Sequence, residues 1–209
     1  MQWNIPGTVI SVSTEETDNL EEKMRSMFLA GGIMLSQVAT ATGLEPYTVQ
    51  NWVKRGFLKP PVQKRYDLKQ FCRILNINML KDALPMEKIC SLLTYINGHM
   101  DDESDDLIDD SQLYFLFLRL AAHHRRMNDP AGRDKYVRET LANYEEPIPG
   151  ARERVEKVLH VMLTAWAASL LRQQAVSMAQ ALKVLKEECL NTNNTRHQFV
   201  PTKNNSKWF

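Results

Sequence analysis

Apolar residues recur along most of this chain at spacings of three and four, the mark of amphipathic helices, and no run of alternating strands is present. Leu20, Met24, Met27 and Phe28 predict a helix from Asp18 to Ala30, stopped by Gly31-Gly32. Two short helical patterns follow around Gly43-Leu44, the first with Val38, Ala39 and Thr42 behind an N-cap at Ser36. The second opens at Pro46 and turns Val49, Trp52 and Val53 toward the first. Phe57-Leu58-Lys59 and Lys64-Arg65-Tyr66 flank Pro60-Pro61-Val62-Gln63, which predicts a small β-hairpin. Asp67 with Gln70 opens a helix carrying Phe71, Ile74, Leu75 and Ile77, and Pro85 opens another with Ile89, Leu92, Leu93 and Ile96.

The remainder is helical too. Leu113 to Met127 begins apolar all round, which predicts a central position, and a shorter helix ends near Tyr144. A long helix is predicted from Ala151 to about Cys189, with Val155, Leu159, Met162 and Trp166 on one face and Val161, Ala165, Ala168 and Leu171 on another. Two apolar faces imply two buried contacts, one inside the domain and one against a second subunit. Met1 to Thr17 reads as an irregular or extended lead-in, and the tail from Asn191 as polar and mobile. The predicted organisation is an N-terminal extension with one helix (1–32), a winged helix-turn-helix (33–98), a helical dimerisation or ligand-sensing domain (99–190) and the tail (191–209). The fold class is all-α with a small β-hairpin wing.

Charge sharpens this picture. The net formal charge is only +1, yet Lys54, Arg55, Lys59, Lys64, Arg65, Lys69 and Arg73 face only Glu45 and Asp67 over residues 45–73, a net +5. Such a patch on a near-neutral chain is the electrostatic footprint of nucleic-acid contact. Asp101 to Asp110 is acidic and reads as a solvated connector that opens the next helix. Cys72, Cys90 and Cys189 are odd in number and far apart, which argues against disulfides and zinc and for a reducing cytoplasm. No leader pattern is evident at the N-terminus. The most apolar run, Val158 to Leu171, would span roughly 21 Å against a hydrocarbon thickness of roughly 30 Å, so no membrane association is expected.

On the second short helix, Tyr47, Thr48, Gln50 and Asn51 fall on the outer side, where amides can pair with base edges in the major groove of double-stranded DNA. Lys54, Arg55, Lys59, Lys64 and Arg65 are placed to meet phosphates. The order of elements from Met34 to Gly98 resembles the MerR-type winged helix-turn-helix family. Thr48-Val49 falls where that family has a threonine-aliphatic pair, Gly56-Phe57-Leu58 where it has a glycine-leucine exit, and Leu84-Pro85-Met86-Glu87-Lys88-Ile89 where its later helix starts. The whole chain looks like an uncharacterised group of MerR-like regulators from Gram-positive bacteria with an all-helical C-terminal domain. Departures are Gln50 and Asn51 in place of the family's frequent arginine and tyrosine, a shortened wing, and an acidic segment where its long dimerisation helix should begin. The resemblance implies a homodimeric transcriptional regulator on paired half-sites, with room for a small-molecule effector.

Other chemistry is thin. The acidic run lacks the glycine and terminal glutamate of a calcium loop, Gln112 standing at the twelfth position. His123 and His124 project about 100° apart on a helix and do not converge on one ion. His160 reads as a hydrogen-bonded core or interface residue. A pocket lined by Tyr114, Phe117 and Trp166 is conceivable, although aromatic residues at helical spacing are usually core. No catalytic residue, metal or cofactor is assigned. The rival to a DNA-binding regulator is a non-enzymatic protein-interaction adaptor using the same helices; a helical enzyme working through His123, His124 and the aspartates ranks behind both.

Overall fold

In the computed structural model, residues 2–13, 19–98, 105–123 and 130–196 are described, the side chains of 130, 131 and 183–196 excepted. The chain forms β1 (Gln2–Asn4), β2 (Ser11–Ser13), α1 (Leu20–Ser26), β3 (Ile33–Met34), α2 (Leu35–Thr42), α3 (Pro46–Lys54) and β4 (Arg65–Tyr66). Then follow α4 (Leu68–Leu80), α5 (Met86–Asn97), α6 (Asp110–Ala122), α7 (Pro130–Thr140) and α8 (Ala151–Arg196). Helices dominate, with two small two-stranded antiparallel sheets, β1–β2 and β3–β4. Two compact units result, Met1–Ser169 and Leu170–Phe209.

The first unit has one continuous core, running from Ile5 through Val49, Ile74, Leu93 and Phe117 to Trp166. The boundary expected at residue 98 falls inside this unit. Its centre is the packing of α4 on α6. All of α4 except Leu68, Lys69 and Asn78 is buried. α6 buries every residue from Leu113 to Leu118, as its all-round apolar pattern requires.

Polar groups go into this interior with the apolar ones, Arg73 and Asn76 among them. Arg73 donates from Nε to the Phe57 carbonyl at 2.8 Å and from Nη1 to Asp110 at 3.1 Å. The side chains are only 7% and 12% exposed. Asn76, fully buried, donates to the Asp110 carbonyl at 3.3 Å. Asp109 caps α6, its carboxylate accepting from the Ser111 and Gln112 amides. The acidic run is therefore not a solvated helix entry at its end: Asp110 is an interior ion-pair partner. Residues 101–104 of that run lie outside the described residues.

The N-terminal segment departs from the irregular lead-in expected of it. β1 and β2 form a hairpin in register Trp3 to Val12, and its turn docks on the helices. Tyr114 donates its hydroxyl to the Pro6 carbonyl at 2.8 Å, and the Val9 amide donates to the Ala41 carbonyl at 3.0 Å. The Asn78 amide donates to both Gly7 and Thr42, at 2.8 and 3.1 Å. Gly7 has a φ of +76°, and a Cβ there would lie 2.5 Å from the Leu75 carbonyl oxygen, so backbone passes against backbone. α1 is shorter than its apolar pattern predicted, ending at Ser26 in successive turns.

Tyr114, Phe117 and Trp166 are core residues: the first two are fully buried, and Phe117 and Trp166 stack edge-on at 5.7 Å between ring centres. His160 is half-buried, 3.6 Å from Asp134 and 3.9 Å from Glu156. α8 continues to Arg196, past the stop expected near Cys189. In the second unit its described side chains, up to Leu182, are all exposed.

Burial pushes the Asp110 carboxyl above its ordinary range even with Arg73 beside it. A carboxyl raised in the folded state favours folding below the ordinary carboxylate range, and that contribution is lost as pH rises through the raised value. Arg73→Met should therefore cost about 3–5 kcal/mol at neutral pH, because it strands a buried carboxylate. The deficit should shrink at pH 4.5, and Arg73→Met with Asp110→Leu should recover most of it. Urea unfolding of the three proteins at both pH values checks this; an equal deficit at both would contradict a buried charge.

Candidate nucleic-acid interface

The two short helices form as their sequence dictates, with one shift. α2 begins at Leu35, not beyond Ser36: Met34 is the N-cap and its amide donates to the Gln37 side chain at 2.9 Å. Gly43 ends the helix in the left-handed conformation at φ 69°, its amide donating to the Ala39 carbonyl. A Cβ on Gly43 would come within 2.6 Å of Val9, since the N-terminal turn crosses here. Pro46 occupies the first turn of α3.

α3 has two distinct sides. Val49 is fully buried and Trp52 nearly so, both in the core. Tyr47, Gln50, Asn51 and Lys54, at i, i+3, i+4 and i+7, form an exposed stripe, with Tyr47 70% exposed. Thr48 stands off that stripe and is half-buried. Arg55 follows the helix at its C-cap with its guanidinium 4.5 Å from the Phe57 ring centre. Lys59 is half-buried in the segment beyond.

The expected hairpin forms differently. The stretch 57–59 does not pair with 64–66; β4 pairs with β3, in register Ile33 to Tyr66 and Met34 to Arg65. The turn is the four residues Val62 to Arg65, closed by reciprocal backbone bonds of 3.1 and 2.8 Å. Its central residues Gln63 and Lys64 have φ of 49° and 63°, the signature of a type I′ turn. Pro60-Pro61 cannot donate to a ladder, which keeps the preceding segment out of the sheet. Lys64 is exposed at the turn, and Arg65, also exposed, donates to the Gly32 carbonyl at 2.8 Å. Because β3 runs directly into α2, this turn is tied to the entrance of that helix.

The basic patch is smaller than the sequence count. Arg73 points inward and is neutralised by Asp110, whereas Lys54, Arg55, Lys64, Arg65 and Lys69 are exposed. Sequence reasoning had no signal for this, because the partner lies 37 residues away. Among the described residues no group of three or more His, Cys, Asp and Glu could hold a metal ion. Burial pushes the Cys72 thiol well up and the Cys90 thiol up, which disfavours the thiolate at both. His123 places Nδ1 3.1 Å from the Arg119 carbonyl and stacks edge-on with Tyr136. His124, Arg125 and Arg126 lie outside the described residues. No helix among the described residues is long and apolar enough to cross a membrane.

Residues 30–117 match a family described as a domain of unknown function, DUF1836. That stretch begins before β3 and ends within α6, so it spans both partners of the Arg73–Asp110 pair. A curated protein of Bacillus subtilis (strain 168), described as uncharacterized protein YkrK, is 26% identical over 132 residues, covering 60% of this chain and 54% of its own length. The chain thus spans about half the length of the curated relative it matches. No solved structure matches it.

Two non-glycine residues with positive φ in one turn are strained. Replacing them by the Asn-Gly pair that suits a type I′ turn, Gln63→Asn with Lys64→Gly, should stabilise the chain by about 1 kcal/mol. A rise in the urea midpoint with unchanged slope is the expected result.

Proposed function

We propose that this chain is a sequence-specific, double-stranded-DNA-binding transcriptional regulator of MerR-like type, without enzymatic activity, acting in the cytoplasm as a homodimer. The observation that carries the reading is the division of α3. Val49 and Trp52 anchor it in the core, while Tyr47, Gln50, Asn51 and Lys54 make an exposed stripe of ring, amides and ammonium. Those are the groups that read base edges and hold phosphates in a major groove, and an α-helix fits that groove. α2, the left-handed Gly43 and α3 supply the two helices and tight turn of a helix-turn-helix. In this reading the turn at Gln63-Lys64 serves as a minimal wing, and Tyr47, Thr48, Gln50 and Asn51 meet bases. Lys54, Arg55, Lys59, Lys64 and Arg65 meet phosphates. Arg65 already holds the Gly32 carbonyl, so Lys54 and Lys64 are the cleaner probes of phosphate contact.

Selection from a random double-stranded pool should enrich a half-site motif, and recovery of none would favour the adaptor reading. On the selected site, the slope of log affinity against log salt should fall by roughly 0.9 for each of Lys54→Ala and Lys64→Ala. An unchanged slope in both would place the bound polymer elsewhere.

The second unit supports the homodimer. Leu171, Ala175, Met178 and Leu182 follow one another at spacings of four, three and four, and Leu171, Met178 and Leu182 are 66%, 62% and 67% exposed. That is the a/d spacing of a coiled-coil seam. One recognition helix gives little specificity, and two half-sites a helical turn apart supply it. Sedimentation at micromolar concentration should show a dimer, and Met178→Glu should shift it to monomer without lowering the helical signal of the first unit.

A further inference from the structure

A cavity of about 980 Å³ in the first unit has a lining that points to a definite ligand chemistry. α6 forms its floor, with walls from β1, α1, the start of α4, residues 106–109, α7 and residues 143–147. The volume sits at the upper end of the range of small-molecule sites. Its apolar part joins aliphatic side chains, Leu107, Ile108, Leu116 and Leu118 among them, to the half-buried rings of Trp3, Tyr136 and Tyr144. Flat rings at a cavity wall favour a flat guest through offset or edge-on stacking.

Charge along the floor is uneven. Arg25 donates through Nε and Nη2 to one oxygen of Glu21, at 3.0 and 2.9 Å. Arg119 donates to the other oxygen of the same carboxylate at 3.4 Å. One carboxylate thus serves two guanidiniums, leaving one guanidinium in excess at this end of the cavity. The Arg25 guanidinium also lies over the ring of Phe115, 4.7 Å from its centre, and Phe115 itself is buried beneath it. The other charged residues of the lining, Lys69, Asp106, Asp109 and Glu145, come from the start of α4 and from the segments before α6 and after α7. Asp109 is committed to capping α6, and lies about 15 Å along the helix from Arg119.

We propose that this cavity binds a small aromatic carboxylate, its ring toward Tyr136, which packs on His123 at the end of α6, and its carboxylate between Arg25 and Arg119. At this end of the floor, where Arg25 and Arg119 share only Glu21, a monoanion matches the one guanidinium in excess. An amine placed there would face two guanidiniums, and a neutral ring would leave their remaining donors without a charged acceptor. The assignment does not rest on the DNA-binding reading, and the test reads ligand binding alone.

Calorimetric titration of the full chain with 2-naphthoate, 2-naphthalenemethanol and 2-naphthylmethylamine compares one ring system carrying three head groups. The carboxylate should bind at least about tenfold tighter than the other two, the ratio expected of one charge-assisted contact. Arg119→Gln should weaken naphthoate about tenfold. Glu21→Gln, which frees both guanidiniums, should tighten it, and this gain cannot arise from misfolding. The proposal is overturned if naphthoate gives no saturable heat up to millimolar concentration, if the amine binds as well as the acid, or if neither variant changes the affinity.

Discussion

A charged side chain can enter a protein interior only if a partner and hydrogen bonds replace the water it loses. In this chain that demand is met by Arg73, and the first unit is organised around the solution. Its guanidinium joins the carbonyl of Phe57, just past the exit of α3, to the carboxylate of Asp110 at the start of α6. Asn76, one turn along α4, holds the carbonyl of the same aspartate. Interdigitated apolar surfaces already restrict the register of two helices, and a buried ion pair adds a directional constraint to it. The pair is weak evidence for stability and stronger evidence for a fixed arrangement of α3, α4 and α6.

The N-terminal hairpin extends the same logic to the opposite side of α4. Asn78 holds Gly7 and Thr42 with one amide, so the end of α2 and the hairpin turn meet at a single side chain. Tyr114 reaches the neighbouring Pro6 from α6. The hairpin is thereby bonded to α2, α4 and α6, and Gly43 is closed over by Val9. In the proposed regulator this would leave α3 rigid at its back and free only at its outer stripe, the condition for reading base edges with fixed geometry.

Much of this was legible in the sequence where the determinants are local. Periodicity located the helices, Pro46 the start of α3, Gly43 the tight turn, and Asp67 with Gln70 the capping box of α4, whose reciprocal bonds measure 2.8 and 3.0 Å. The exposed stripe of α3 followed from the same 3.6-residue repeat. What stayed hidden was non-local. The partner of β4 is β3, some thirty residues upstream, and the two-residue turn at Gln63-Lys64 carries neither Gly nor Asn to announce it. Arg73 counts as surface charge in any sequence window, because only the fold brings Asp110 to it. The hairpin at 2–13 is made of three-residue strands, too short to show a period.

These non-local bonds also explain why the acidic stretch after α5 does not divide the first unit. A linker between independent domains should have apolar cores closed on either side of it. Here Leu107 and Ile108 are buried just before α6, and the Leu107 amide donates to the Ile96 carbonyl at 2.7 Å. A chain ending after α5 would uncover the α4 face that α6 covers and leave Arg73 buried without its carboxylate. The match to DUF1836, which continues to residue 117, includes the helix that this argument requires. The helices that carry the exposed stripe and the helix that floors the cavity therefore belong to one compact unit. A ligand between Arg25 and Arg119 would bear on α6, and α6 is tied through Asp110 and Arg73 to the exit of α3.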